Sequence, residues 1–414
     1  MAGPILFCGL AAILLSQRSS QGVRRLAIGM IFLTLLALYV TRSFNIDLVN
    51  VLSIKQYMFE LNIKQSPEYA LAGLLLLVSM GAGLYFGARV EKFRSRNQFV
   101  MAIAMVALIV NLDSFATAGT RGSYKASAPA GEAIDSAILQ NEIRPETISA
   151  NNLVVIIVES WGLPSAPFDQ SIDRQVWNTS RLASRYSAKR GMSKYYGSTT
   201  NAEIREWCGA WADHLSFDFD KSNCLPEAFR SAGFSTMAFH SFNGDFFHRD
   251  EWYPKLGFEY REFEPELRKS EARFCDGVFA GVCDTDVPKI LGNRLRASKS
   301  KRNLIYWLTV NAHLPVGPNE LLGTDVCRLG NAQWRADFPM LCRSFEVHEA
   351  VANAIFEEIM REDFPEADIL IVGDHMPPFF PRAIRSRFDA AHVPWIYLEN
   401  KSAKARAAGK TKQS

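Results

Sequence analysis

In Leu153-Val154-Val155-Ile156-Ile157-Val158-Glu159-Ser160-Trp161-Gly162, an unbroken apolar run, mostly β-branched, leads directly into a carboxylate, a hydroxyl and a glycine. That is the pattern of a strand buried on both faces with a polar carboxyl end. The pattern recurs downstream. Ile369–Val372 leads into Gly373-Asp374-His375, Leu304–Val310 into Asn311-Ala312-His313-Leu314-Pro315, and Thr236–Phe239 into His240. Leu225–Ser231 and Phe345–Met360 read as helices between such runs. The alternation predicts an α/β domain over residues 151–400 with a largely parallel central sheet covered by helices. Open sheets of this kind place their sites at the carboxyl ends of the strands, where the polar residues above fall.

Upstream of this domain the composition changes. The chain has 414 residues, 48% of them hydrophobic, with 46 Lys and Arg against 43 Asp and Glu, which leaves room for two units at roughly 150 residues each and excludes a purely disordered or fibrous protein. A net charge of +3 without aromatic-basic interleaving points to no nucleic-acid partner. The mean hydropathy of -0.03 averages two unlike halves. Nearly uncharged runs at Pro4–Leu15, Leu26–Val40, Tyr69–Gly87 and Phe99–Val110 predict a membrane domain over residues 1–112 with about four transmembrane helices. A cleaved leader would need a basic start, which Met1-Ala2-Gly3-Pro4 lacks. Arg18, Arg24 and Arg25 lie between the first two runs, and Arg89, Lys92, Arg94 and Arg96 between the last two. Those loops are expected on the cytoplasmic side, which places everything after residue 112 outside.

Cysteine usage agrees with that side of the membrane. Cys8 falls in the first run, and the downstream part holds Cys208, Cys224, Cys275, Cys283, Cys327 and Cys342, an even set in a compartment that permits disulfides. Pairing of sequence neighbours (208–224, 275–283, 327–342) is the simplest of the connectivities open to them. Residues 113–150, rich in Ala, Ser, Gly, Thr and Pro, read as a linker. Residues 401–414, with Lys401, Lys404, Arg406, Lys410 and Lys412, read as a basic, disordered tail.

The strand ends carry metal-ligand residue types. Glu159, the Asp374-His375 pair and a hydroxyl could together hold one divalent cation, Zn2+ or Mn2+, the imidazole disfavouring Ca2+. The segment Tyr196-Gly197-Ser198-Thr199-Thr200-Asn201-Ala202-Glu203 looks like a loop opening a helix and offers that hydroxyl, which a metal and the helix N-terminus would activate. An isolated cluster of this kind is ordinarily a helix cap.

As a set these residues resemble the membrane-anchored, sulfatase-like branch of the alkaline phosphatase superfamily, which includes lipoteichoic acid synthases, phosphoglycerol transferases and phosphoethanolamine transferases. Val158-Glu159-Ser160-Trp161-Gly162 is similar to the family's first metal motif, Gly-Ser-Thr-Thr-Asn-Ala-Glu to its nucleophile motif, and Gly373-Asp374-His375 to its last metal motif. The resemblance implies Thr199 as nucleophile and metal ligand, with Glu159, Asp374 and His375 completing the set and Thr200 supporting the loop. The segment Ala238–Asp250 resembles the head-group segment of the lipoteichoic acid synthases. It implies substrate contacts for His240, Phe247, Arg249 and Asp250, with Arg249 on phosphate and Phe247 where the family carries Trp. His313 matches a histidine that assists proton transfer or holds phosphate. His392 reads as structural, and His214 and His348 lie in no motif.

The function this implies is transfer of a phosphoglycerol group from a membrane glycerophospholipid to a glycan or glycolipid hydroxyl through a phosphothreonine. The enzyme would sit in a bacterial inner membrane, multi-pass, with an extracytoplasmic (periplasmic) catalytic domain. Phosphoethanolamine transfer is the alternative within the family. A sulfatase or phosphodiesterase would share the fold, but Cys224-Leu225-Pro226-Glu227-Ala228 lacks the arginine that closes the sulfatase nucleophile motif. A catalytically dead glycan-binding protein would have no need of the complete ligand set.

Overall fold

A computed structural model of the chain describes residues 2–18, 20–44, 67–87, 89, 92–116, 127–277, 279–379 and 381–411. The chain divides into two compact units, one made chiefly of Met1–Gly122 and the other of Ser123–Ser414.

In the first unit each expected apolar run lies within a helix: Ala2–Arg18, Gln21–Phe44, Pro67–Gly87 and Arg96–Ala116. Within them Gln21–Leu38 and Arg96–Phe115 are long and apolar enough to cross a bilayer, while the described apolar stretches Gly3–Leu15 and Gly73–Gly87 are shorter. Leu33, Leu74, Leu77, Met101 and Leu108 are all exposed, as lipid-facing side chains would be. Cys8 is buried and unpaired.

The second unit is built on strands β1 (Asn152–Val158), β2 (Tyr186–Lys194), β3 (Ser235–His240), β4 (Tyr260–Glu262), β5 (Phe274–Cys275), β6 (Gly281–Val282), β7 (Asn303–Leu308), β8 (Ala367–Gly373) and β9 (His392–Asn400). Seven form one sheet in the order β2-β9-β8-β1-β7-β3-β4, and β5 and β6 form a separate hairpin. The central strands β8, β1, β7, β3 and β4 run parallel. β9 joins β8 antiparallel and β2 joins β9 antiparallel. The four sequence-predicted strands are the four innermost parallel ones. The antiparallel margin is not legible in the sequence, because β2 is a partly exposed edge of mixed polarity and Pro394 sits in the otherwise apolar run of β9.

Side-chain alternation puts a core on each face. Val154, Ile156 and Val158 of β1 pack with Ile305, Trp307, Ile369 and Ile371 under the helices Pro167–Val176, Val287–Ala297 and Pro339–Ile359. Leu153, Val155 and Ile157 pack with Leu304, Tyr306, Leu370 and Val372 under Thr199–Cys208, Leu225–Ser231 and Arg249–Leu256. A continuous apolar run was required because both faces of the sheet are covered.

Two expectations need correction. The supposed linker joins the domain over its second half: Ser136 caps the short helix Ala137–Gln140, and Ala137, Ile138 and Ile143 are buried in the second core. Glu206 anchors it by accepting the Ala137 and Ile138 N–H groups at 3.3 and 3.0 Å. The supposed disordered tail is a helix, Lys401–Thr411, held by buried Ala403 and by an Arg406–Glu366 ion pair. Residues 117–126 and 412–414 of those two segments lie outside the described residues. The disulfides are 208–224, 275–283 and 327–342, the neighbour pairing expected.

Candidate metal and nucleophile site

Register places the site. Val158 of β1 pairs with Gly373 of β8, and Leu308 of β7 lies between Ile157 and His240, so these strands end together on one side of the sheet. Glu159 and Asp374 are the first residues past their strands. The turns carrying them touch: a Cβ at Gly373 would overlap the Trp161 carbonyl oxygen, so only glycine allows this approach.

Thr199 arrives from the other direction, as the first residue of the helix Thr199–Cys208. Ser198 holds the N-cap position, and its N–H donates to Asn201 Oδ1 at 2.9 Å, so Thr199 is free of capping duty. Gly197 before it has φ +84°, and a Cβ there would overlap Asn201. The Thr199 hydroxyl lies 3.0 Å from Asp374 Oδ2, 3.2 Å from Glu159 Oε2 and 3.3 Å from His375 Nε2. Thr200 turns away, donating to Asp213 Oδ2 at 2.9 Å. Asp213 is partly buried, but the bonds from His214, Leu215 N–H and Thr200 outweigh that burial and hold its carboxyl at about 2.

Glu159, Asp374 and His375 are 4%, 1% and 3% exposed, and their ligand atoms all lie within 4.8 Å of one another. Ser160 Oγ donates to Glu159 Oε1 at 2.9 Å, so two hydroxyls face the cluster. Burial and the facing Glu159 carboxylate push Asp374 up to about 7. A cation would remove that penalty, so the donor set fits a divalent metal. His375 Nδ1 faces the Met376 carbonyl at 3.0 Å, which leaves Nε2 as the ligand nitrogen. Asp374 Oδ1 accepts the Ser160 and His375 N–H groups at 2.8 and 2.6 Å. Behind Glu159, His348 Nε2 lies 3.1 Å from its carbonyl, and burial drives that imidazole down to about 4. His348, in no sequence motif, thus backs a ligand-bearing turn.

His313 projects from the loop after β7. Burial lowers its pKa, and Glu159 opposes this electrostatically, so the imidazole belongs to the same field as the ligands. Its ring stands against Phe279 at 4.4 Å.

The Ala238–Asp250 segment is arranged otherwise. Arg249 is buried, with Nε and Nη2 donating to Glu203 Oε2 at 3.1 and 2.8 Å and Nη1 to the Phe246 carbonyl at 3.0 Å. Tyr253 and Tyr306 donate to Glu203 Oε1 at 2.5 and 2.7 Å. The guanidinium is thereby engaged in a closed hub. His240 is buried beside it; desolvation and the Arg249 charge push its pKa well down, and Nδ1 contacts the Leu308 carbonyl at 3.1 Å. Phe247 is half-buried in the left-handed region with φ 57°, and Asp250 is exposed. Around them Phe242, Phe246, Phe247 and Phe279 make an aromatic wall with centroids 4.4–5.5 Å apart. The His392 ring lies 3.3 Å from the Asp389 carboxylate, and His214 packs against Phe247 and Trp252.

Sequence reasoning missed Arg205. It is buried on the nucleophile helix and donates to the Gly373 and Asp374 carbonyls at 3.1 and 3.4 Å, joining that helix to the end of β8. An arginine on an amphipathic helix gives no advance sign of such bonds.

An α/β domain with a helix-borne threonine facing a buried Glu-Asp-His cluster at the strand ends is the architecture of a metal-dependent enzyme acting on phosphate or sulfate esters. The Sulfatase family model matches residues 151–394, more than half of the chain, and the protein belongs to that family. The family uses a divalent metal. Among solved structures, the chain is similar to the lipoteichoic acid synthase LtaP from Listeria monocytogenes (14% identity, TM-score 0.46), covering 61% of this chain and 66% of that one, just under two thirds of its length. The phosphoglycerol transferase GacH from Streptococcus pyogenes, in complex with sn-glycerol-1-phosphate, matches at 17% identity and TM-score 0.41, over 62% of this chain and 70% of that one. The integral membrane lipooligosaccharide phosphoethanolamine transferase A (EptA) from Neisseria meningitidis matches at 13% identity and TM-score 0.46, over 98% and 90%. No curated protein matches in sequence.

Proposed function

We propose that the protein transfers a phosphoryl-alcohol head group, phosphoglycerol in the first instance, from a membrane glycerophospholipid to a glycan or glycolipid hydroxyl. The observation that carries this is the Thr199 hydroxyl set 3.0–3.3 Å from Glu159, Asp374 and His375. A hydroxyl serving only as a helix cap would not be aimed at three buried metal-ligand groups whose ligand atoms lie within 4.8 Å of one another.

Glu159, Thr199, Asp374 and His375 would hold one Zn2+ or Mn2+. Bound there, the cation lowers the pKa of the threonine hydroxyl and neutralises charge on the phosphoryl oxygens. Thr199 Oγ1, its proton released to solvent beforehand, attacks the phosphorus, the bond from phosphorus to the diacylglycerol oxygen breaks, and His313, entering as the imidazolium, gives that oxygen a proton. In the second half, the acceptor hydroxyl passes its proton to His313 and displaces Thr199 from phosphorus. His240, Phe247, Arg249 and Asp250 line the head-group side, Arg249 acting from within its pair with Glu203.

A second reading, phosphoethanolamine transfer, draws support from the aromatic wall, since phenylalanine faces suit an ammonium better than a diol. The catalytic domain lies outside the inner membrane of a bacterium in this proposal, anchored by several spans. Its three disulfides support an oxidising side. Tethering raises the local concentration of a lipid donor.

The test is to incubate the purified full chain with phosphatidylglycerol or phosphatidylethanolamine, each labelled in the head group, and to map the label by mass spectrometry. Label on Thr199 that moves to an added glycan supports transfer, and the productive lipid chooses between the readings. Rapid release of free head-group phosphate without acceptor would make the protein a hydrolase.

A further inference from the structure

Asp284 is buried and belongs to no motif in the sequence. It follows Cys283, whose disulfide to Cys275 closes the β5–β6 hairpin. Its Oδ2 accepts the N–H groups of Val310 and Asn311 at 2.9 and 2.7 Å. In return Asn311 Oδ1 accepts the Asp284 N–H at 2.7 Å, and Asn311 Nδ2 donates to the Val282 carbonyl at 3.3 Å. This clasp grips the chain where it leaves β7 and turns, the His313 N–H donating to the Val310 carbonyl at 3.0 Å. The same disulfide-closed hairpin carries Phe279, whose ring meets the His313 imidazole at an interplanar angle of 84°. His313 Nδ1 is 2.8 Å from the Leu314 carbonyl, which leaves Nε2 as its working nitrogen. The hairpin therefore touches the histidine's backbone turn and its ring at once.

We propose that Asp284 is a positioning residue that sets His313 for proton transfer, through its grip on Val310 and Asn311. The inference rests on the role given to His313 in the proposed function. An anionic oxygen accepting two backbone N–H groups is a stronger and shorter restraint than a neutral one. Small displacements of a proton donor are costly to rate and nearly silent in binding. A residue needed only for the fold would lower turnover of every substrate alike.

That contrast supplies the test, made on the full chain with two synthetic phosphodiesters that differ only in their leaving group. A nitrophenolate departs without a proton, whereas an alkoxide needs one. In a single turnover Asp284→Ala should slow alcohol release from the alkyl ester on the order of a hundredfold, leave substrate affinity nearly unchanged, and spare the first burst of nitrophenolate, which departs before the second half-reaction calls on His313. In a His313→Ala background the same substitution should cost nothing further, and Asp284→Asn, which keeps an acceptor oxygen, should recover most of the rate. Hydrogen exchange over residues 309–316 should rise in Asp284→Ala. Equal losses on both esters, an undiminished loss in the His313→Ala background, or unchanged exchange would each overturn the proposal. Failure of the wild type to use any phospholipid would sink the head-group reading alone, since neither ester is a lipid.

Discussion

Two buried charge clusters meet the helix Thr199–Cys208, and they differ in how they are completed. Around Thr199, among the described residues, no cationic side chain of Lys or Arg enters: Glu159, Asp374 and His375 converge on its hydroxyl at 3.0–3.3 Å. Around Glu203, on the same helix, each acceptor oxygen has its donors, supplied by Arg249, Tyr253 and Tyr306. The first suits a cation from outside the chain, and the second has brought its own in Arg249. Buried ligand groups gathered around one hydroxyl mark a candidate cation site; the paired cluster holds Arg249 in a fixed orientation.

The largest expected effect separates the two adjacent threonines that open the helix Thr199–Cys208. Thr199→Ala should lower turnover by about ten thousandfold or more while retaining metal, and Thr200→Ala should be mild; steady-state rates and intact-mass detection of the phosphorylated chain decide it. The opposite ranking would place the nucleophile one residue on. Next come the ligands. Glu159→Ala, Asp374→Ala and His375→Ala should each reduce bound Zn or Mn, by roughly 10- to 100-fold in affinity or more, as read by elemental analysis after dialysis. Full occupancy in all of them would remove the cluster from the metal.

A third experiment sets the clusters against each other in stability. Glu203→Gln should destabilise the fold by about 3–5 kcal/mol, because it strands a buried guanidinium. Asp374→Asn should stabilise the metal-free protein by about 1 kcal/mol, because it removes one of two facing carboxylates. Denaturant melts on metal-stripped protein compare them, and two destabilisations of like size would erase the distinction. The smallest effect is in pH. Asp374 titrates near 7 in the fold against 3.8 as a free side chain, so the folded state holds its proton longer. Stability of the stripped protein should therefore fall as pH rises from about 4 to about 7, and saturating metal should cancel that slope. Calorimetry at a series of pH values reads the sign.

The first cluster was legible in sequence and the second was not, for a physical reason. Buried parallel strands must be apolar throughout, so their polar ends stand out, and Glu159, Asp374, His375, His240 and His313 are all close after such runs. The Arg249–Glu203 pair spans 46 positions, and nothing local marks either partner as buried. The same holds for Asp284, whose partners Val310 and Asn311 act through backbone N–H groups that every residue has. Helix Lys401–Thr411 escaped because its alanine- and lysine-rich composition serves an ordered helix as well as a solvated tail.

The missing side chain at Gly373 has a consequence for the metal. The turns carrying Glu159 and Asp374 interlock through the Trp161 carbonyl, so the spacing of the two carboxylates that would chelate a cation is set by main-chain contact, without reliance on side-chain flexibility. Much of the ordering entropy of metal capture is then met when the polypeptide folds, and discrimination between ions of different radius becomes a property of backbone packing. Any residue larger than glycine there would widen that spacing while leaving the identity of every donor atom intact.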